Sequence, residues 1–165
     1  MTIAIRRART GDEDTLSELN RFVQEIHVAN RGKYFKPHNA REVAELFRSR
    51  LQNPAAQIWI AEQSGKAVGY VSVCRIERAE DAYQFARRWH DINEIGVHPS
   101  FQGAGIGRAL VQKIIDEARA QGIEEVELTT WSFNESAQRA FQRLGFESKW
   151  VRFGMSLAEP PSHPP

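Results

Sequence analysis

Gln102, Gly105 and Gly107 are spaced Q-x-x-G-x-G immediately ahead of a long amphipathic run, and Gly103 adds a further glycine between them. Glycines pass through positive φ and let the backbone approach a ligand with no Cβ in the way. The helix that follows opens on unpaired N–H groups and the positive end of its dipole. Residue types and spacing together describe a cradle for a phosphate or similar anion. Two common cradles are excluded. A P-loop requires G-x-x-x-x-G-K-S/T, but Arg108-Ala109 follows Gly107, with no lysine–hydroxyl pair. A dinucleotide fingerprint G-x-G-x-x-G would place its third glycine on Arg108.

The elements that must position this cradle can be read on both sides of it. Ile92 to His98 reads as a strand, stopped by Pro99, which cannot donate to a sheet ladder. The helix from about Gly105 to Ala120 buries Ile106, Leu110, Ile114 and Ala118 and ends at Gly122. Upstream, Ile3 to Ala8 alternates as an opening strand. A helix follows from Thr10-Gly11-Asp12, with Leu16, Leu19, Phe22, Val23 and Ile26 as its stripe. Asn39 caps a second helix carrying Val43, Leu46, Phe47 and Leu51, closed by Asn53-Pro54. Gln57–Glu62 and Ala67–Ile76 form a hairpin across Ser64-Gly65, and residues 77–88 form a polar connection. Downstream, Glu125–Trp131 alternates as a strand. Asn134 caps a helix with Ala137, Ala140, Phe141 and Leu144 on one face, and Phe146 to Leu157 supplies one or two last strands. The expected fold is α+β: one domain over residues 1–158, with a mixed sheet of about six to seven strands and about four helices, in the order β-α-α-β-β-β-α-β-α-β. Residues 159–165, rich in proline, are expected to be a disordered tail.

Composition narrows the classes. A net charge of +1 gives no global field favouring nucleic acid or an anionic membrane. No run of apolar residues is long enough for a membrane span, and the start Met1–Arg7 lacks the core of a signal peptide, so cytoplasmic residence is expected. A single cysteine, Cys74, excludes an intramolecular disulfide, and it sits in an apolar strand with no evident base to activate it. The histidines show no metal-ligand spacing, so no metal is expected.

The Q-x-x-G-x-G loop resembles the Q/R-x-x-G-x-G/A pyrophosphate loop of the GNAT acetyltransferase superfamily. Asn134 to Phe146 resembles that superfamily's N-x-x-A-x-x-F/L-Y-x-x-x-G-F segment. The two motifs lie at the expected separation, and the likeness runs from about Ile3 to Leu157. It implies acetyl-CoA as cosubstrate, held in an opening between the strands at Ile92–His98 and Glu125–Trp131. Ile95, Gly96 and Val97 would bind the pantetheine arm, with the Val97 N–H polarising the thioester carbonyl. Gln102, Gly103, Ala104, Gly105, Ile106, Gly107 and Arg108 would hold the pyrophosphate, and Asn134, Ser136 and Phe141 would complete the cofactor contacts. Phe141 stands where the superfamily usually has a tyrosine that protonates the leaving thiolate, and a phenyl ring has no proton to give. Ser132, Ser136 or a water could replace it. Glu94 is the first candidate for the base, followed by Asp91 and His98. Tyr34, Phe35 and Tyr83, with Phe85 and Trp89, are candidates for an aromatic acceptor wall.

The implied activity is acetyl transfer to a primary amine of a small molecule or peptide, by direct attack in a ternary complex. The alternative is an acyl-CoA-binding sensor module without catalysis. Neither nucleic acid nor membrane is an expected partner, and a homodimer is the commonest assembly for such chains.

Overall fold

The computed structural model describes residues 2–157; the proline-rich segment 159–165 lies outside them. Two compact units divide the chain, residues 1–133 and the remainder from Asn134.

The first unit carries a five-stranded sheet in sequence order: β1 (Ile3–Arg7), β2 (Ala56–Gln63), β3 (Lys66–Arg78), β4 (Arg87–Val97) and β5 (Val126–Leu128). The first four strands pair antiparallel, and β4 pairs parallel with β5. A parallel neighbour needs a crossover, which is α3 (Ile106–Ala120). Helices α1 (Glu13–Arg31) and α2 (Ala40–Gln52) connect β1 to β2.

Neighbouring residues of β3 show which helix lies on which face. Tyr70 packs edge-on against Phe47 of α2 and hydrogen-bonds Asn20 of α1. A Cβ at the adjacent Gly69 would lie 3.1 Å from Ile106 and 3.3 Å from Leu110 of α3. Side chains alternate across a strand, so α1 and α2 cover one face and α3 the other. This explains why Ile58–Ala61 and Val68–Val73 are continuously buried: a strand covered on both faces needs apolar residues throughout. Leu16, Leu19, Phe47, Ile58, Ile60 and Tyr70 form one core cluster. Arg6 fastens the start of α1 to the sheet, donating to Asp12 at 2.8 and 2.9 Å and to Glu62 at 2.7 Å. The Asp12 carboxyl is held below its ordinary range chiefly by that hydrogen bonding from Arg6.

The β3–β4 ladder is longer than the sequence suggests, running from Gly69↔Val97 to Arg78↔Arg87, so that only residues 79–86 connect the strands. Asp81 closes that turn by accepting from the N–H groups of Tyr83 and Gln84.

The second unit contains α4 (Glu135–Arg143), capped by Asn134, whose side chain accepts from the Ala137 N–H at 3.2 Å. The expected strands after Phe146 are absent among the described residues, which leaves five strands rather than six or seven. Val151, Phe153, Met155 and Leu157 keep the two-residue alternation but remain exposed. Alternation specifies the faces of an extended chain and says nothing about a hydrogen-bonding partner.

Candidate active site

The site begins where β4 and β5 separate. They pair at His90↔Val126, Asp91↔Glu127 and Ile92↔Leu128 only. β5 ends there, whereas β4 continues to Val97, so Asn93–Val97 has β3 on one edge and, among the described residues, no strand on the other. A bulge at Asn93 accompanies the split: Ser72 faces Glu94 and Val73 faces Ile92, leaving Asn93 as the extra residue. The bulge changes which residues point outward. Below it, the His90 N–H donates to the Glu125 carbonyl on the β5 side at 3.0 Å. Above it, the His98 N–H donates to the Val68 carbonyl of β3 at 2.8 Å. Counting by twos from each anchor, Ile92, Ile95 and Val97 present their backbone groups to the β5 side. Ile95 and Val97 are thus the residues whose peptide groups face the opening.

Gly96 lets α1 lie close over this half-strand. A Cβ there would stand 2.8 Å from Tyr70 Cε1 and 2.9 Å from Val23 Cγ2, closer than side chains can pack.

The chain leaves β4 through His98, whose Nδ1 accepts from the Ser100 N–H at 3.2 Å and caps a 3₁₀ turn over Pro99–Phe101. Gln102 donates through Nε2 to the Val97 carbonyl at 3.3 Å, tying the cradle to the strand. Its own N–H donates to Pro99, so free donors begin at Gly103 rather than at Gln102. Gly103 and Gly105 have φ of +79° and +81°. A Cβ at either would meet nothing within 4 Å, so these glycines serve the left-handed backbone and not a tight fit. The first paired donor beyond Gln102 is Ala109, on the Gly105 carbonyl at 3.0 Å. The first turn of α3 contains no acidic residue. Open donors and a positive helix end with no opposing carboxylate fit a pyrophosphate.

Glu94 Oε2 accepts from Tyr70 Oη at 3.2 Å and Asn20 Nδ2 at 3.4 Å, and lies 2.9 Å from Arg50 Nη1. That last contact is an ion pair whose N–H directions miss the oxygen. Burial and the adjacent Glu94 charge push the Tyr70 hydroxyl well above its ordinary value. Glu94 thereby links α1, α2, β3 and β4 through Oε2. His98 uses its Nδ1 as a cap while its ring packs between Phe22 and Phe101. Asp91 sits one pair below the fork, its carboxyl raised by burial and by Glu127 across the ladder. Glu127 is itself ion-paired to Arg87.

An aromatic cluster, of which the sequence pointed only to Tyr34 and Phe35, gathers beyond the end of β5 beside α1. His27 and Arg31 of α1, Tyr34 and Phe35 of the next loop, and Trp131 and Phe133 beyond β5 come together. His27 lies 4.7 Å from Phe35 and 6.1 Å from Phe133, and Phe35 lies 5.6 Å from Trp131. Arg31 stands over the Phe133 ring at 5.4 Å. Tyr34 and Phe35 are therefore at the fork. Tyr83 is not: it lies beyond Arg87, about 23 Å along β4 from Glu94 at roughly 3.3 Å per residue. Trp89 is under the Arg87 guanidinium on the same distal stretch.

In the second unit, Asn134 caps α4, Ser136 is exposed in its first turn, and the Phe141 ring meets Phe146 at 5.9 Å. No group of His, Cys, Asp and Glu among the described residues could hold a metal, and no described helix is long and apolar enough to cross a membrane.

A parallel pair that forks beside an anion cradle defines a fold built to seat a coenzyme A thioester. The description "Acetyltransferase (GNAT) family" matches residues 23–146, and the chain belongs to that family, whose cosubstrate is acetyl-CoA. An uncharacterized N-acetyltransferase of Methanocaldococcus jannaschii is 33% identical over 145 residues, covering 83% of this chain and 60% of that protein. A mycothiol acetyltransferase of Sanguibacter keddieii is 30% identical over 157 residues, covering 93% of this chain and 46% of its own length. The chain thus spans about half the length of such relatives. Among solved structures, a Bacillus halodurans protein superposes with a TM-score of 0.89 at 24% identity, covering 93% of this chain and 99% of its own. An aminoglycoside N-acetyltransferase in complex with CoA gives 0.75 at 19%, covering 95% and 96%. At these identities the likeness is one of fold.

Proposed function

We propose that this chain transfers the acetyl group of acetyl-CoA to a primary amine of a small molecule or peptide, by direct attack while both are bound. The observation that carries this is the unpaired Asn93–Val97 edge of β4 running straight into the Gly103–Arg108 donors. On that edge Ile95 and Val97 offer peptide groups that an extended pantetheine can pair with as a strand would. The Val97 N–H is suited to bond the thioester oxygen as negative charge develops there. Gly103, Ala104, Gly105, Ile106, Gly107 and Arg108 supply the pyrophosphate donors. Asn134, Ser136 and Phe141 are assigned to the cofactor on their motif alone. Tyr34 and Phe35, joined by Trp131 and Phe133, wall the acceptor side.

Glu94 is a positioning residue in this reading, holding α1 and α2 over the strand. The departing sulfur needs little help, because a thiolate is a tolerable leaving group near neutral pH. This accommodates phenylalanine at position 141.

Acetyl-CoA at about a hundred times its dissociation constant should stabilise the fold by about 2.7 kcal/mol, a rise in Tm of about 5–10 °C. No shift at millimolar acetyl-CoA would sink the cofactor assignment. Release of CoA is then followed with primary amines, from phenethylamine to peptides with a free N-terminus. Phe141 motivates the second reading, a binding module without catalysis, which predicts the shift and no turnover with any of them.

A further inference from the structure

The structure assigns His27 as the residue that takes the proton from the acceptor amine; this rests on the transferase reading above. Its Nδ1 lies 2.8 Å from the Val23 carbonyl. A carbonyl only accepts, so Nδ1 carries the hydrogen and the neutral ring keeps its lone pair on Nε2. The ring is half-buried and fixed between Phe35 and Phe133, with the backbone bond setting its orientation.

Its place along α1 follows from the contacts of the preceding turns. Asn20 reaches Glu94, and Val23 packs on Gly96 of the open half of β4. His27 stands one turn further on, about 6 Å along the axis. There it passes the strand's open edge and meets Phe133 from the other arm of the fork. The other candidates are otherwise engaged: Glu94 Oε2 accepts from Tyr70 and Asn20 beside Arg50, and His98 Nδ1 serves as a cap. Asp91 lies on the paired side of the fork beside Glu127. An aliphatic amine is almost wholly protonated at neutral pH, so a fixed imidazole at the acceptor wall supplies what the attack lacks.

The alkylammonium gives one proton to Nε2. The nitrogen lone pair forms the C–N bond while the carbonyl π pair moves to oxygen. That pair returns as the C–S bond breaks, and the sulfur leaves with the bonding electrons. The second proton lost from nitrogen goes to sulfur through water, and the imidazolium releases its proton to solvent. The products are amide, thiol and one proton.

The test compares two near-isosteric acceptors, phenethylamine and O-benzylhydroxylamine. The first is an alkylammonium at pH 7, and the second is a weak base that is already neutral. The variant is His27→Asn, whose amide N–H can replace Nδ1–H on Val23 without providing a base. CoA release with phenethylamine should fall about 10²-fold or more, while O-benzylhydroxylamine is turned over at close to the wild-type rate. The acetyl-CoA thermal shift should be unchanged. Equal losses with both acceptors, or no loss with either, would overturn the assignment and leave the transferase reading intact. If His27→Asn does not fold, His27→Gln is put through the same pair. Wild-type protein that shows the thermal shift yet acetylates neither acceptor nor any amine of the wider series would refute the transferase reading, and this assignment with it.

Discussion

From His90 to Ile92, β4 has a strand on each side of it; from Asn93 to Val97 it has, among the described residues, a strand on one side only. The residues of the two halves are not very different in type. In the lower half, Arg87 bridges to Glu125 and Glu127 and the His90 N–H joins the ladder, so polar groups are consumed in holding the sheet together. In the upper half, the outward peptide groups of Ile95 and Val97 face no strand, and the side chains are fixed from the other direction by Asn20, Tyr70 and Arg50 acting on Glu94. One strand can therefore be a rigid part of the sheet and also offer a binding edge, provided a helix face replaces the lost neighbour as its anchor. That replacement is what Gly96 permits.

Gly96→Ala should strike this arrangement hardest. The added methyl meets Tyr70 and Val23, neither of which can swing away, and overpacking of this kind costs about 1–3 kcal/mol. Chemical denaturation measures it, and an unchanged midpoint would show that α1 is not pressed onto the open half. Gly105→Ala leaves the strand alone and strains the cradle, since left-handed backbone costs a non-glycine residue about 1–2 kcal/mol. Acetyl-CoA affinity by calorimetry should weaken about tenfold. Glu94→Gln keeps an acceptor for Tyr70 but removes the charge opposite Arg50. Both partners are partly exposed, so stability should fall by only about 1 kcal/mol. Turnover of phenethylamine should fall by less than about tenfold, against the roughly 10²–10⁴-fold expected for a proton acceptor.

The smallest effect belongs to the paired half. Asp91 holds its proton more tightly in the folded protein than its ordinary value of 3.8 implies, because of burial and then Glu127. As pH rises past 3.8 the unfolded chain ionises first, so stability falls until the folded group has ionised too, and the deficit then stays constant. Asp91→Asn should therefore raise Tm modestly at pH 7, with the gain vanishing below about pH 3.8. A gain that grew on acidification would reverse the sign and break the contrast between the two halves.

The cradle was legible in the sequence because its requirement is local: a left-handed backbone asks for glycine at fixed spacing, and Gly103 and Gly105 show it. The strand leading to it was legible for the same reason, ended by Pro99. The fork was not, because it consists of pairing that stops, and the alternation of Glu125–Trp131 continues past Leu128 where the ladder does not. The same limit made Phe146–Leu157 read as strands. The aromatic cluster beside α1 was half legible. Tyr34 and Phe35 belong to it, but Trp131 and Phe133 join them from about a hundred residues away, and only the folded chain brings His27 between the two groups. The partners of Glu94 were not legible because Asn20, Arg50 and Tyr70 lie in three separate elements.

Asn93 contributes its backbone to the counting of residues along β4, and its amide makes a 3.4 Å contact with Asp91. The bulge it forms nevertheless decides which edge every later peptide group serves: were Asn93 drawn into regular alternation, Ile95 and Val97 would turn back toward β3. What matters here is phase rather than chemistry: many side chains could occupy the position, provided the alternation restarts with Glu94 facing Ser72. In related chains the mark of this site would thus be the phase in which the strand approaches the first glycine of the cradle, with wide latitude in what fills the bulge.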